Sequence, residues 1–453
     1  MIKTRFAPSP TGWLHIGGVR TALFSWLFAK SQSGEFYIRI DDTDTSRSTK
    51  EYCDSIISAL NSLGLNSDME LIYQSNRFGL YIDKIEYLLN QDLAYYDKVE
   101  VNEKTKDTNL KVQYENRLNK PGHVIRFRNP RDKTVILKDL VHGEIRFDQK
   151  TFHDVVILRS NGIPTYNLTT VVDDSDLGIT HIVRGDDHLS NTAIQINLFK
   201  AFNESVPIFA HLAMIHGVDG KRLSKRHGAV DINTFLKEGY LVEALINYLV
   251  KTGWSYGDQE FFSIDDLLKL FTIEKVTKSS AVFDYDKLNW LNQHYIKSKN
   301  ISDVSEMILP YLTDLGIEVD DRKYLENILS LGIERDFNLK NIALGLTYYF
   351  EDNLNYKSDD FAKLDPIKSK VIIENVIKKI SNIQFEDKEN ISNCIKSVCS
   401  DMTLKFKDVG PVIRFSLTAR LKAPSIDELC HTLGKEKSLK RLNDFYTFLS
   451  SDQ

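Results

Sequence analysis

The stretch Arg5-Phe6-Ala7-Pro8-Ser9-Pro10-Thr11-Gly12-Trp13-Leu14-His15-Ile16-Gly17-Gly18 constrains this chain more than any other. Ile2, Thr4 and Phe6 alternate as a half-buried strand does. Pro8, Pro10 and Gly12 cannot continue a strand or a helix interior, so the chain turns there. From Val19, the spacing of Leu23, Phe24, Trp26 and Leu27 predicts an amphipathic helix with Gly17 and Gly18 in its first turn. Those glycines carry no Cβ, so a ligand can lie against bare backbone. The free N–H groups and the dipole of a helix start favour phosphate, and His15 adds a donor at the same spot. Taken alone, the segment reads first as a strand–turn–helix corner with a buried histidine.

Its surroundings repeat the alternation. Phe36-Tyr37-Ile38-Arg39-Ile40 predicts a second strand, closed by an acidic run from Asp41 to Asp44. Residues 46–63 suit a helix, with Tyr52, Ile56, Ala59, Leu60 and Leu63 on one face and Gly64 at its end. Alternating strand and helix predicts a parallel sheet with helices on both faces. Ligands in such sheets sit at the carboxyl ends of the strands, where residues 5–12 and 41–44 fall. Further strands are expected at 124–128, 134–137, 144–147, 154–158 and 181–184, and a helix at 192–202. Beyond about residue 230 the pattern is largely helical. Trp13, Trp26 and the aromatic residues of the C-terminal half are expected in the core. Asp42 and Asp44 are candidates to cap the helix that follows them.

Charge narrows the partners. With 58 Lys and Arg against 63 Asp and Glu, the chain is no uniformly basic nucleic-acid binder, so an RNA partner must use local patches. Arg126, Arg128, Arg131 and Lys133 form one such cluster, or else a solvated strand face. Cys53, Cys394, Cys399 and Cys430 make no Cys-x-x-Cys pair, so neither a zinc site nor a disulfide framework is signalled. The opening residues do not resemble a signal peptide, and no apolar run is long enough to span a bilayer; a soluble, cytoplasmic protein is expected.

About 200 residues after the first stretch stands Asp219-Gly220-Lys221-Arg222-Leu223-Ser224-Lys225-Arg226-His227-Gly228. Read alone it is a solvated charged loop. Together the two stretches resemble the HIGH and KMSKS signatures of class I aminoacyl-tRNA synthetases, here His15-Ile16-Gly17-Gly18 and Arg222-Leu223-Ser224-Lys225-Arg226. Residues 7–12, Arg39-Ile40-Asp41-Asp42-Thr43-Asp44 and Arg184-Gly185-Asp186-Asp187-His188 narrow the resemblance to the bacterial glutamyl-tRNA synthetases. It covers essentially the whole chain.

The resemblance implies a Rossmann-like α/β catalytic domain in two halves, residues 1–73 and 166–229. An inserted α+β domain at 74–165 would hold the tRNA acceptor end. A stem-contact domain at 230–300 and an all-α anticodon-binding region at 301–453 would follow. It implies activation of L-glutamate by ATP, with magnesium, and transfer to tRNA(Glu) by a monomer. His15 and Lys225 are then the catalytic residues. His15, Gly17, Asp187, Ser224 and Lys225 would bind ATP. Arg5, Ala7, Ser9, Asp41, Tyr166 and Arg184 would bind glutamate. Asp41 stands where relatives commonly carry glutamate and pair with the substrate ammonium. Read on position alone and not from the resemblance, Asp186 and Asp187 sit beside Arg184 and would simply orient it by ion pairing. No protein-bound metal is expected: the segment 95–101, where some relatives carry a zinc knuckle, has no cysteine. Lys435, Lys437, Lys440 and Arg441 are candidate RNA contacts. The alternatives are a glutaminyl enzyme, a short paralogue that modifies a tRNA base, and a tRNA-binding protein without catalysis. The last would be expected to lose His15 or Lys225, and both are present.

Overall fold

The computed structural model describes residues 1–44, 46–99, 113–132, 134–221, 223, 231–385 and 387–451. The chain divides into two units: Met1–Lys237 with Val242–Leu288, and Glu238–Leu241 with Asn289–Gln453.

The first unit opens with β1 (Lys3–Phe6), α1 (Ile16–Ser31), β2 (Glu35–Ile40), α2 (Lys50–Ser62) and β3 (Ile72–Tyr73). β1 pairs with β2 in parallel, from Lys3 opposite Glu35 to Phe6 opposite Ile38, and β2 pairs in parallel with β3. The return from α1 into β2 depends on Gly34, where a Cβ would lie 2.4 Å from the Ile2 carbonyl oxygen. α1 is not the one-faced helix its spacing suggested. Val19, Ala22, Leu23, Phe24 and Leu27 are buried, and so are Arg20 and Ser25, because elements cover it on several sides.

The chain continues through α3 (Phe78–Asn90), β4 (Ala94–Lys98), β5 (His123–Phe127), β6 (Thr134–Asp139), β7 (Gly143–Asp148) and β8 (Val155–Leu158). These strands go to different sheets. β4, β5 and β8 form an antiparallel sheet over α3. The β6–β7 hairpin instead extends a sheet with two later strands. Those strands follow α4 (Tyr166–Asp176): β9 (His181–Gly185), then α5 (Leu189–Ala201), then β10 (Ile208–Leu212). β9 and β10 are parallel, and β10 meets β6 at Phe209 opposite Asp139. Thr180 N–H donates to the Lys3 carbonyl at 3.0 Å, which sets β9 beside β1. β1 therefore lies between β2 and β9: the chain runs outward from β1 through β2 to β3, and returns to the other side of β1 only at β9. The crevice at the carboxyl ends of such strands is where ligands bind in open α/β sheets.

Among the described residues, the second unit contains helices and no strands. Tyr356, Phe361, Phe415, Phe445 and Phe448 pack as one aromatic cluster, as expected for core residues. The four cations proposed from the sequence as RNA contacts are engaged otherwise. Arg441 is 1% exposed and donates to the carbonyls of Leu417, Tyr348 and Glu351. Lys435, Lys437 and Lys440 donate to the carbonyls of Ile383, Tyr349 and Asp352, each at 2.9 Å. Tyr348 and Tyr349 end the helix Leu339–Phe350, whose last carbonyls lack helical partners and attract cations. No helix among the described residues is long and apolar enough to cross a membrane.

Candidate active site

The loop after β1 delivers His15 to the N-cap of α1. Its Nδ1 accepts the Gly18 N–H at 3.1 Å. An Nδ1 that accepts is unprotonated, so in the neutral ring Nε2 carries the proton as a donor. Gly17 and Gly18 serve the packing here as well as ligand approach. A Cβ on Gly17 would stand 3.1 Å from His15 Nδ1, and one on Gly18 3.0 Å from Leu14 Cδ1.

A cavity of about 270 Å³ opens where β1, β2 and β9 end. Arg5, Ala7, Ser9, His15, Gly17, Gly18, Asp41, Tyr166, Arg184, Asp187 and Leu223 all line it. Ile16 is buried behind it. Arg222, Ser224, Lys225 and Arg226 lie outside the described residues, as do Lys133, Glu100 and Val101. The flanks of the second motif are described: Leu223 is on the cavity wall, and Asp231 bridges to His15.

The cavity floor is a buried ionic network. Asp174 Oδ1 and Oδ2 accept from Arg5 Nε and Nη2, both at 3.0 Å, and Oδ1 also accepts from Arg39 Nη1 at 2.6 Å. Arg39 grips Asp41 with two bonds, of 2.7 and 3.1 Å. Asp173 accepts from Gln74, Arg77 and Tyr81. Burial pushes the Asp41 carboxyl up to about 6 even against the pull of Arg39. Burial alone would raise Asp174 too, but Arg5 and Arg39 outweigh it and hold it below the usual range.

Arg184, on β9, is 5% exposed. Its Nη2 donates to Thr192 Oγ1 at 2.6 Å and its Nε to His211 Nε2 at 3.2 Å, while Nη1 is buried with no partner among the described residues. Thr192 and His211 thus orient it. Arg20 of α1 reaches the same cavity and donates to the carbonyls of Thr252 and Ala213. Tyr166 OH lies 3.3 Å from His188 Nδ1.

Several expectations are corrected. Asp42 does not cap α2; it accepts from Ser75 N–H and Oγ at 2.8 and 2.6 Å. Asp44 binds Ser46 and Arg47, and Thr49 is the cap. Trp13 is 38% exposed at the cavity, edge-on to Tyr52 at 5.1 Å, because it sits in the loop and not on a helix face. The basic cluster is not corrected: Arg126, Arg128 and Arg131 stay partly exposed beside Asp97, Asp92 and Asp154, as either reading of it allows. Arg39, Asp173, Asp174 and His211 were missed. Their signal was a charge inside an apolar run: Asp173-Asp174 follow Val171-Val172, and Arg39 interrupts residues 36–40.

Comparison with known proteins adds an independent line. The class I tRNA synthetase (E and Q) catalytic domain matches residues 1–290, and an anticodon-binding domain matches residues 303–446. A glutamate–tRNA ligase from Francisella philomiragia is 40% identical, covering 98% of both chains. Glutamate–tRNA ligase 1 of Syntrophus aciditrophicus is 40% identical over 99% of this chain and 98% of its own. A crystal structure of a glutamate tRNA ligase from Elizabethkingia meningosepticum, in complex with its amino acid, superposes with a TM-score of 0.81 at 30% identity, covering 99% of each chain.

Proposed function

The chain belongs to the class I tRNA synthetases of the glutamate and glutamine group, and we propose that it joins L-glutamate to tRNA(Glu). One observation carries the choice of amino acid. A single cavity collects four buried arginines, Arg5, Arg20, Arg39 and Arg184, and one buried carboxylate, Asp41, beside a helix N-terminus. The cationic lining suits the two carboxylates of glutamate, with Arg184 held by no carboxylate among the described residues, and Asp41 is the buried anion for the glutamate ammonium. Arginine suits the carboxylates because its fork bonds them in pairs. Ala7, Ser9 and Tyr166 complete the same wall.

In the proposed reaction, the glutamate α-carboxylate attacks the α-phosphorus of ATP. The bond to the bridging oxygen breaks and pyrophosphate leaves. The 3′-terminal ribose hydroxyl of tRNA then attacks the adenylate carbonyl, loses its proton and releases AMP. Neither step needs a nucleophile from the protein, so the site works by positioning and by meeting phosphate charge. His15 Nε2–H and the first turn of α1 are the donors for that charge, with Gly17 and Asp187 on the nucleotide side. Ser224 and Lys225 are assigned to closure over the phosphates from the sequence alone. Magnesium would enter with ATP and neutralise phosphate charge. Its ligands would be mainly phosphates and water, with few from the protein.

The test is charging of separate tRNA(Glu) and tRNA(Gln) transcripts with labelled glutamate, ATP and magnesium. Charging of tRNA(Glu) is expected. Whether tRNA(Gln) is charged too sorts the enzyme as discriminating or not. A folded sample that charges neither would overturn the reading.

A further inference from the structure

Four arginines line the cavity, and they are held differently. Arg5 and Arg39 are held by carboxylates, those of Asp174 and Asp41. Arg20 is held by backbone carbonyls. Arg184 is held by a hydroxyl and an imidazole, with a longer bond of 3.5 Å to the His188 carbonyl, and by no carboxylate among the described residues. Its neighbour is fixed by the sheet: Arg184 on β9 stands directly opposite His211 on β10.

The protonation of His211 follows from its partners. Arg184 Nε–H points at His211 Nε2, so that nitrogen accepts and carries no proton. The proton sits on Nδ1, which donates to Asp139 Oδ2 at 2.7 Å. Asp139 is itself fixed by the backbone N–H groups of Val141 and His142, both at 2.9 Å. Burial lowers the proton affinity of His211, Asp139 pulls the other way, and Arg184 and His142 push it down further; the balance is down. Phe209 supports both members, stacked on His211 and beneath the Arg184 guanidinium at 5.3 Å.

We propose that His211, oriented by Asp139, is a positioning residue that fixes the plane of Arg184 while leaving its positive charge for a substrate carboxylate. A carboxylate partner would fix the same plane but neutralise the guanidinium, as Asp174 does for Arg5. A neutral imidazole separates the two tasks. The buried Nη1 of Arg184 finds no hydrogen-bond acceptor among the described residues, so the protein leaves the guanidinium incompletely satisfied. The proposal rests on the reading of Arg184 as a clamp for glutamate, and it adds the residues that make the clamp work.

The experiment measures charging of tRNA(Glu), with KM for glutamate and KM for ATP determined separately. Two variants divide the imidazole. His211→Asn keeps an N–H toward Asp139 but has no acceptor at the Nε2 position. His211→Gln restores that acceptor. In His211→Asn the glutamate KM should rise about tenfold or more, with kcat and the ATP KM within about threefold, and His211→Gln should recover most of the loss. A glutamate KM unchanged in folded His211→Asn would overturn the proposal. So would a parallel rise in both KM values, or a failure of His211→Gln to recover. If His211→Asn does not fold, Thr192→Val removes the hydroxyl that accepts from Arg184 at 2.6 Å and meets His211 Nε2 at 3.0 Å, and should raise the glutamate KM with the same selectivity; no rise there overturns the proposal. Wild-type enzyme that does not charge glutamate removes the functional reading as well, whereas active wild type matched by the variants removes this inference alone.

Discussion

Lowering the pH from 7.5 to 5 should weaken glutamate binding about tenfold, through one carboxyl group. Asp41 is buried, and burial lifts it to about 6 against the pull of Arg39. Its charged neighbours are Arg39 on β2, Arg5 on β1, and Asp173 on α4. The sign follows from the direction of the shift. A raised carboxyl is neutral in acid and becomes an anion only as the pH passes about 6. An ammonium needs the anion, so binding is complete above that value and lost below it. At pH 5 only about one molecule in eleven carries the charge, which raises the apparent glutamate KM about tenfold, or about 1.4 kcal/mol. The titration of free glutamate, near 4.3, adds a factor of only about 1.2 at that pH. The assay is the initial rate of tRNA charging from pH 5 to 8 at saturating ATP and tRNA, with circular dichroism confirming the fold at each pH. Asp41→Asn should raise KM about tenfold or more at pH 7.5 and lose the acid arm, because no group is left to titrate. A flat wild-type profile would refute the reasoning, as would an acid arm that survives in Asp41→Asn.

Two other outcomes follow from geometry. Gly17→Ala would place a Cβ 3.1 Å from His15 Nδ1 and push the ring off its cap, so kcat should fall about tenfold to a hundredfold with the glutamate KM little changed; steady-state charging decides it, and an unaltered kcat would remove the role given to His15. Arg441→Met strips cationic donors from three carbonyls, those of Leu417 and Tyr348 in buried bonds, and should destabilise the second unit by about 3 kcal/mol in urea unfolding, against under about 1 kcal/mol for the exposed Lys440→Met, so equal effects would contradict the packing described.

What the sequence revealed was local. The turn at residues 7–14, the glycines after His15 and the strand at 36–40 are written in neighbouring residues, and the elements fall where the periodicity put them. The helix after His15 was foreseen, but not its covering by other elements, which depends on strands and helices far along the chain. Likewise the hairpin of β6 and β7 was legible as two strands, while its partner β10 was not. The site divides the same way. Arg5 and Arg184 were visible as motif residues. What holds them lay out of sight: Asp174 is 169 positions from Arg5, and Asp139 is 72 from His211. No spacing rule links residues that meet only after the sheet has formed.

The shared carboxylate of Asp174 has a consequence for how this pocket can change. Because it bonds both Arg5 and Arg39, and Arg39 in turn grips Asp41, no member can be altered without leaving another charge buried and unmatched. Substitutions across the floor should therefore be strongly epistatic, with double variants departing from additivity by about 0.5–3 kcal/mol. A mutational path toward a different amino acid would cross deep valleys if taken one residue at a time. Libraries that randomise Arg5, Arg39, Asp41 and Asp174 together have access to folded solutions that stepwise selection would discard.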